Sequence, residues 1–210
     1  MRTFDQYIEA AQAAHGHMCA GQILGLRLAL RGLALLGIED PAGRDRKRLI
    51  TYVEIDRCAT DAVGVVTGCR MGKRALKFRD FGKVAATFVD LTGRRAVRVV
   101  ARDSSRQLAR ERFPEIENKN EQQMRAYREM SDEDLFAHQW VEVEVPPEDL
   151  PGWKGDKAVC ADCGETVSFR REVLRDGRTV CRACAGESYY RVVDDCSSMP
   201  SPTVPSSPGR

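Results

Sequence analysis

Two groups of residues in this 210-residue sequence carry side chains that bind metals or act as nucleophiles. The first is a pair of CxxC units, Cys160 to Cys163 and Cys181 to Cys184, with 17 residues between them. A CxxC unit presents two thiolates to one ion from a single tight turn. Two such units complete a tetrahedral shell of sulfurs about 2.3 Å from a zinc ion. The intervening SFRREVLRDGRTV has the form of a hairpin turning at Asp176-Gly177. So short a segment cannot fold on apolar burial alone, and the spacing predicts a structural zinc that supplies the folding free energy. A closed four-sulfur shell keeps no open position, so no catalysis is assigned to it.

The second group begins at HGHMCAG, which holds His15, His17 and Cys19, and continues with Cys58 and Cys69. Imidazole and thiolate are preferred zinc ligands, and softer metals also take them. His17 and Cys19, two residues apart, point the same way in an extended or turning segment. Cys19 precedes a helix start at Gly21, and Cys58 stands at the entry of a later helix; helix N-termini favour thiolates. Glu54 and Asp56 share one face of the strand leading to Cys58 and would approach the same spot. Cys69 lies in the loop TGCRMGK, placed to fold back over it. The chemistry spelled out is a second metal site of unidentified metal or a reactive thiol, with Cys19 as the candidate nucleophile and Glu54 as a carboxylate on the strand segment leading to Cys58. The same residues fit a plainer role. Free cysteine is among the most buried residue types, and a helix C-terminus favours a histidine such as His15. Spacing alone leaves both readings open.

The elements that must position these residues follow from apolar periodicity. Phe4 to Ala14 and Gly21 to Leu36 read as helices, the second ended by Gly37. Leu49 to Ile55 reads as a buried strand and Ala59 to Thr67 as a helix ended by Gly68. Lys83 to Val89 and Ala96 to Ala101 form a hairpin pattern across DLTGRR. Ser104 to Phe113 and Glu121 to Met130 read as helices, Ser131 caps another, and Trp140 to Val145 alternates as a half-buried strand. The expected domains are a core at residues 1–148, a linker at 149–157, the four-cysteine module at 158–193, and a disordered Pro/Ser-rich tail at 194–210. Cys196, in that tail, reads as an incidental exposed thiol.

Composition sets outer limits. Lysines and arginines number 33 against 31 carboxylates, and 42% of residues are apolar. The run from Ile23 to Ile38 is too polar for a bilayer span. The N-terminus lacks the form of a signal peptide, so a cytoplasmic location is expected, where eight cysteines favour metal or thiol chemistry over disulfides. Residues 157–193 carry seven basic against five acidic residues, short of a phosphate-binding footprint. The arginine run from Arg94 to Arg112 is read first as a solvated face, so nucleic acid is not the favoured partner.

HGHMCAGQILGLRLA, ITYVEIDRCATDAVGVVTGCRMGK and CADCGE…VCRACAGESYY together resemble the FmdE family of formylmethanofuran dehydrogenase, over about residues 4–193. The family pattern is roughly HGHxCPG, a downstream glutamate, CxxDA, TGCxxGKGNL and, in longer members, a treble-clef zinc finger. Here Ala20 replaces the proline, and Arg74-Ala75-Leu76 replaces GNL. The resemblance implies an α+β core domain, a homodimer, and an attached treble-clef finger. It further implies a cleft of metal-binding character where His17, Cys19 and Cys58 gather, with His15, Glu54, Asp61 and Cys69 nearby. The expected function is a metal-binding accessory protein that assists, regulates or supplies metal to a molybdenum- or tungsten-dependent formylmethanofuran dehydrogenase-like system. A regulatory or interaction protein docking through its zinc finger ranks second, and a small metalloenzyme, with Glu54 or Asp61 as its acid or base, third.

Overall fold

The computed structural model describes residues 2–193, so the tail read as disordered and Cys196 lie outside the described residues. The chain divides into two units, Met1–Trp153 and Lys154–Arg210. The division falls inside the stretch read as a linker.

In the first unit, α1 (Phe4–His15) opens with a reciprocal capping box between Thr3 and Gln6. It stops at Gly16, whose φ of +89° is left-handed backbone that glycine adopts freely. The chain then enters α2 (Ala20–Leu36), the central helix, with Ile23, Leu26, Leu28 and Leu33 fully buried. Strand β1 (Leu49–Val53) leads to α3 (Cys58–Thr67), and β2 (Leu76–Phe78) follows. Strands β3 (Ala85–Asp90) and β4 (Arg95–Ala101) form the expected hairpin. Helices α4 (Ser104–Arg112), α5 (Lys119–Glu129) and α6 (Asp132–Leu135) precede β5 (Phe136–Val141). The sheet order is β2-β1-β3-β4-β5, with β1 and β2 parallel and every other neighbour antiparallel.

Alternation along the strands divides burial between the two sheet faces. Leu49, Val53, Ala86, Phe88, Val97 and Val99 join the helices in the main core. Ile50, Tyr52, Val89 and Ala96 point the other way, under Leu91, Val141, Val143, Val145 and Leu150. That second layer corrects one expectation. Trp140 to Val145 alternates as a strand does, yet the ladder runs over Phe136–Val141. Pairing stops at Val141 because its partner Ala96 is the second residue of β4. Val143 and Val145 keep the alternation by covering the sheet face rather than by pairing. The three-residue β2 was not foreseen, being too short to show a period.

The arginine run is largely tied down inside the unit. Arg95 donates to the Leu36 carbonyl, Arg102 to that of Phe136, Arg98 pairs with Glu54, and Arg112 pairs with Asp134. Four of the seven arginines are thus internal struts, so the run is not a continuous free basic stripe.

The second unit holds two small hairpins, β6 (Ala158–Val159) with β7 (Thr166–Val167) and β8 (Val173–Arg175) with β9 (Arg178–Val180). Asp176 and Gly177, both at positive φ, make the two-residue turn that the Asp-Gly pair predicts. A helical turn at Ala183–Glu187 closes the unit.

Candidate metal centre

The four cysteines of the second unit converge. Their sulfurs all lie within 4.8 Å of one another, and those of Cys163 and Cys181 are 4.0 Å apart. Bonds of about 2.3 Å to a tetrahedral zinc would space sulfurs about 3.8 Å apart, so the set fits the ion. Backbone N–H groups point at the sulfurs: Cys181 donates to Cys160 at 3.2 Å and Cys184 to Cys181 at 3.4 Å. The donors of Cys163 and Cys181 bring the Cys160 thiol down to about 6. Cys184 is pushed up to about 12, first by its hydrogen bond to Cys181 and then by burial. Four thiols this close cannot all ionise without a cation among them.

In the first unit, three helix ends meet. His15 is the last residue of α1, Cys19 is the N-cap of α2, and Cys58 is the first residue of α3. The approach of α3 to α2 is made by glycines one turn apart. A Cβ on Gly25 would stand 2.5 Å from the Ala59 carbonyl oxygen and 2.7 Å from its Cα. A Cβ on Gly21 would stand 3.1 Å from the Cys58 Cβ. Gln22, fully buried, donates from Nε2 to the Cys58 carbonyl at 2.7 Å and pins the start of α3. Cys19 makes no side-chain cap. Asn120 of α5 accepts from the Ala20 N–H at 3.0 Å instead, which leaves the thiol uncommitted to capping.

The ligand atoms of His15, His17 and Cys19 lie within 4.8 Å of one another, and the two imidazole centroids are 4.7 Å apart. Asp61, in the first turn of α3, binds His15 Nδ1 at 2.8 Å. A carboxylate accepts, so Nδ1 carries the proton and Nε2 presents a lone pair. That Nε2 is buried and has no hydrogen-bond partner. A carboxylate that fixes the tautomer of a histidine whose other nitrogen is free is the usual support of a metal ligand. The donors therefore fit a metal ion, and His15, His17 and Cys19 would hold it.

Of the other expected residues, Cys58 shares a cleft with Cys19, whereas Cys69 and Glu54 fall elsewhere. Cys58 stands beside Cys19 but outside the three-residue cluster; burial first, and the neighbouring Cys19 thiol second, raise its thiol pKa. Cys69 is in the core beneath β1, where it accepts from the Thr51 hydroxyl at 3.5 Å and faces the Leu49 carbonyl, and burial pushes its thiol up. It does not fold back over the site. Glu54 and Asp56 do not approach one spot, because β1 ends at Val53 and the chain turns after Glu54. Glu54 lies on the far sheet face, gripped by the Arg98 guanidinium at 2.6 and 2.7 Å. Asp56 reaches the helix ends, where it lines two clefts that flank Arg57 and Cys58. The smaller, about 390 Å³, contains His15 and Asp61; the larger, about 580 Å³, contains Cys19 and Tyr127. The supporting residues Gln22, Asn120, Gly21 and Gly25 were not anticipated. Of these, only the glycine pair left a signal, as two small residues spaced by four in an otherwise bulky helix.

A mixed helix-and-sheet core with a histidine–cysteine cluster at its helix ends, followed by a four-cysteine zinc finger, defines the class of protein. The family model described as FmdE, molybdenum formylmethanofuran dehydrogenase operon, matches residues 14–137, and the chain belongs to that family. The model of the prokaryotic dksA/traR C4-type zinc finger matches residues 155–190. A probable S-adenosyl-L-methionine-binding protein of Archaeoglobus fulgidus is 32% identical over 208 residues, covering 87% of this chain and 53% of its own length. The chain thus spans about half of that curated relative. The crystal structure of a tungsten formylmethanofuran dehydrogenase FmdE-like protein from Syntrophus aciditrophicus superimposes with a TM-score of 0.61 at 22% identity, covering 90% of this chain and 96% of that one. At that identity the likeness concerns the fold. Among the described residues, no helix is long and apolar enough to cross a membrane.

Proposed function

We propose that this FmdE-family protein is a metal-binding accessory protein that holds a metal ion at His15, His17 and Cys19, apart from the zinc of its finger. The associated role is assembly, metal supply or regulation of a molybdenum- or tungsten-dependent formylmethanofuran dehydrogenase-like system. The observation that carries the reading is the buried, unpartnered Nε2 of His15, with its ring held by Asp61 and with His17 and Cys19 beside it. A bound ion would supply Lewis acidity at the helix ends. The residues themselves orient: Asp61 keeps the His15 proton on Nδ1, and Gln22 and Asn120 hold α3 and α2 in register. Neither carboxylate first considered for acid–base work is unengaged, since Glu54 is bound by Arg98 and Asp61 by His15. That favours an accessory role over a stand-alone enzyme.

Metal analysis of the full chain tests the proposal. Two metal equivalents are expected for the native protein and one for His17→Ala or Cys19→Ser, with the finger retained. One equivalent in all three would overturn it. A second reading, docking of a protein partner through the finger, is supported by the exposed apolar side chains of Leu174 and Tyr189.

A further inference from the structure

The larger cleft is lined by Cys19, Cys58 and Asp56 on one part of its wall, and elsewhere by residues that suit an anion better than a metal. It receives the N-termini of α2 and α3 through Ala20 and Ala59. Arg57, the N-cap of α3, and Arg106, on α4, both line it. Among the described residues, neither guanidinium takes part in a hydrogen bond or an ion pair, whereas Arg95, Arg98, Arg102 and Arg112 are all engaged. Two guanidinium charges and two helix ends, each equivalent to about half a positive charge, outweigh the Asp56 carboxylate by about two charges. Gln123 adds a further hydrogen-bonding amide, and Leu24, Val84 and Tyr127 supply apolar wall. A volume of about 580 Å³ suits a whole small molecule.

We propose that this cleft binds a small metabolite with an oxyanion head group, a phosphate monoester or a carboxylate, held between Arg57 and Arg106 with its apolar body against Tyr127. Arginine suits either head group because its planar fork matches the oxygens in pairs. The cleft shares Cys19 with the His15–His17–Cys19 cluster, but Arg57 and Arg106, which would hold the head group, are not members of it, so the anion site does not require a metal there.

Titration calorimetry on the full chain at low ionic strength, with inorganic phosphate and with acetate as probes, tests the assignment. Saturable binding of one equivalent of either probe is expected, and the probe that binds tells phosphate from carboxylate. Arg57→Gln and Arg106→Gln should each weaken it about fivefold, the size of one lost partly exposed charge pair. Arg110→Gln, one turn along α4 and outside the cleft, should leave it unchanged. His17→Ala should retain binding, which separates this site from anion capture by a core metal. No saturable binding of either probe, or unchanged affinity in both cleft variants with native thermal melts, would overturn the proposal.

Discussion

The residue with the most specific environment is His15, and its behaviour depends on Asp61. Asp61 is itself well exposed, at 58% of its side chain, so removing it leaves no hole in the core. If the proposed core site holds a metal, Asp61→Ala is expected to lower its affinity for zinc, used as the probe ion, about 10- to 100-fold, the usual cost of losing a carboxylate behind a ligating histidine. Competition with a chromophoric chelator reads this directly; native affinity in the variant would show that the ring is held by other means. The sequence displayed this site unevenly. HGHMCAG placed three ligand-type residues within five positions, and a local motif survives folding because few torsions separate its members. Glu54 was misplaced because periodicity does not show where a strand stops. Its true partner, Arg98, is 44 residues away and on another strand. Asp61 sits 46 residues from His15, and only the packing of α3 beside α1 joins them.

At the scale of elements, the site exists because α2 and α3 nearly touch. Gly25→Ala opposes two effects of known sign. Helix propensity alone would stabilise the protein by about 1 kcal/mol. The new Cβ, 2.5 Å from the Ala59 carbonyl oxygen, forces the backbones apart at a cost of about 1–3 kcal/mol for overpacking. Backbone cannot swing aside as a flexible side chain can, so a net loss of stability is expected, read as a lower urea midpoint at unchanged slope. A raised midpoint would mean that the helices separate freely. Helices α1 to α5 and the β3–β4 hairpin were readable from caps, glycine stops and period. Strand β2 and the end of β5 were not, since both depend on which neighbour is available to pair.

For the molecule as a whole, the two units differ in what holds them together. The first buries large side chains on both faces of a five-stranded sheet. The second has two-stranded ribbons of two or three residues per strand, and among its described residues only Cys160 and Val180 are buried hydrophobic side chains. Chelation of zinc is therefore expected to open the second unit alone. Trypsin should then cut within Arg170–Arg182, while the urea midpoint of the first unit, followed by the fluorescence of Trp140, stays in place. Resistance of that segment after metal removal would show that it folds without an ion. The paired CxxC units made this division legible in the amino-acid sequence, because the constraint is chemical and local.

The Asn120 side chain that accepts from the Ala20 N–H comes from 100 residues further along the chain. The end of α2 that carries Cys19 is thus finished by a segment made much later than the motif itself. Closing so long a loop is costly in entropy and is among the slower events of folding. The cysteine and histidines can meet early as a local turn, but the rigid mouth they occupy forms only when α5 docks, so order in the site arrives together with order in the whole first unit.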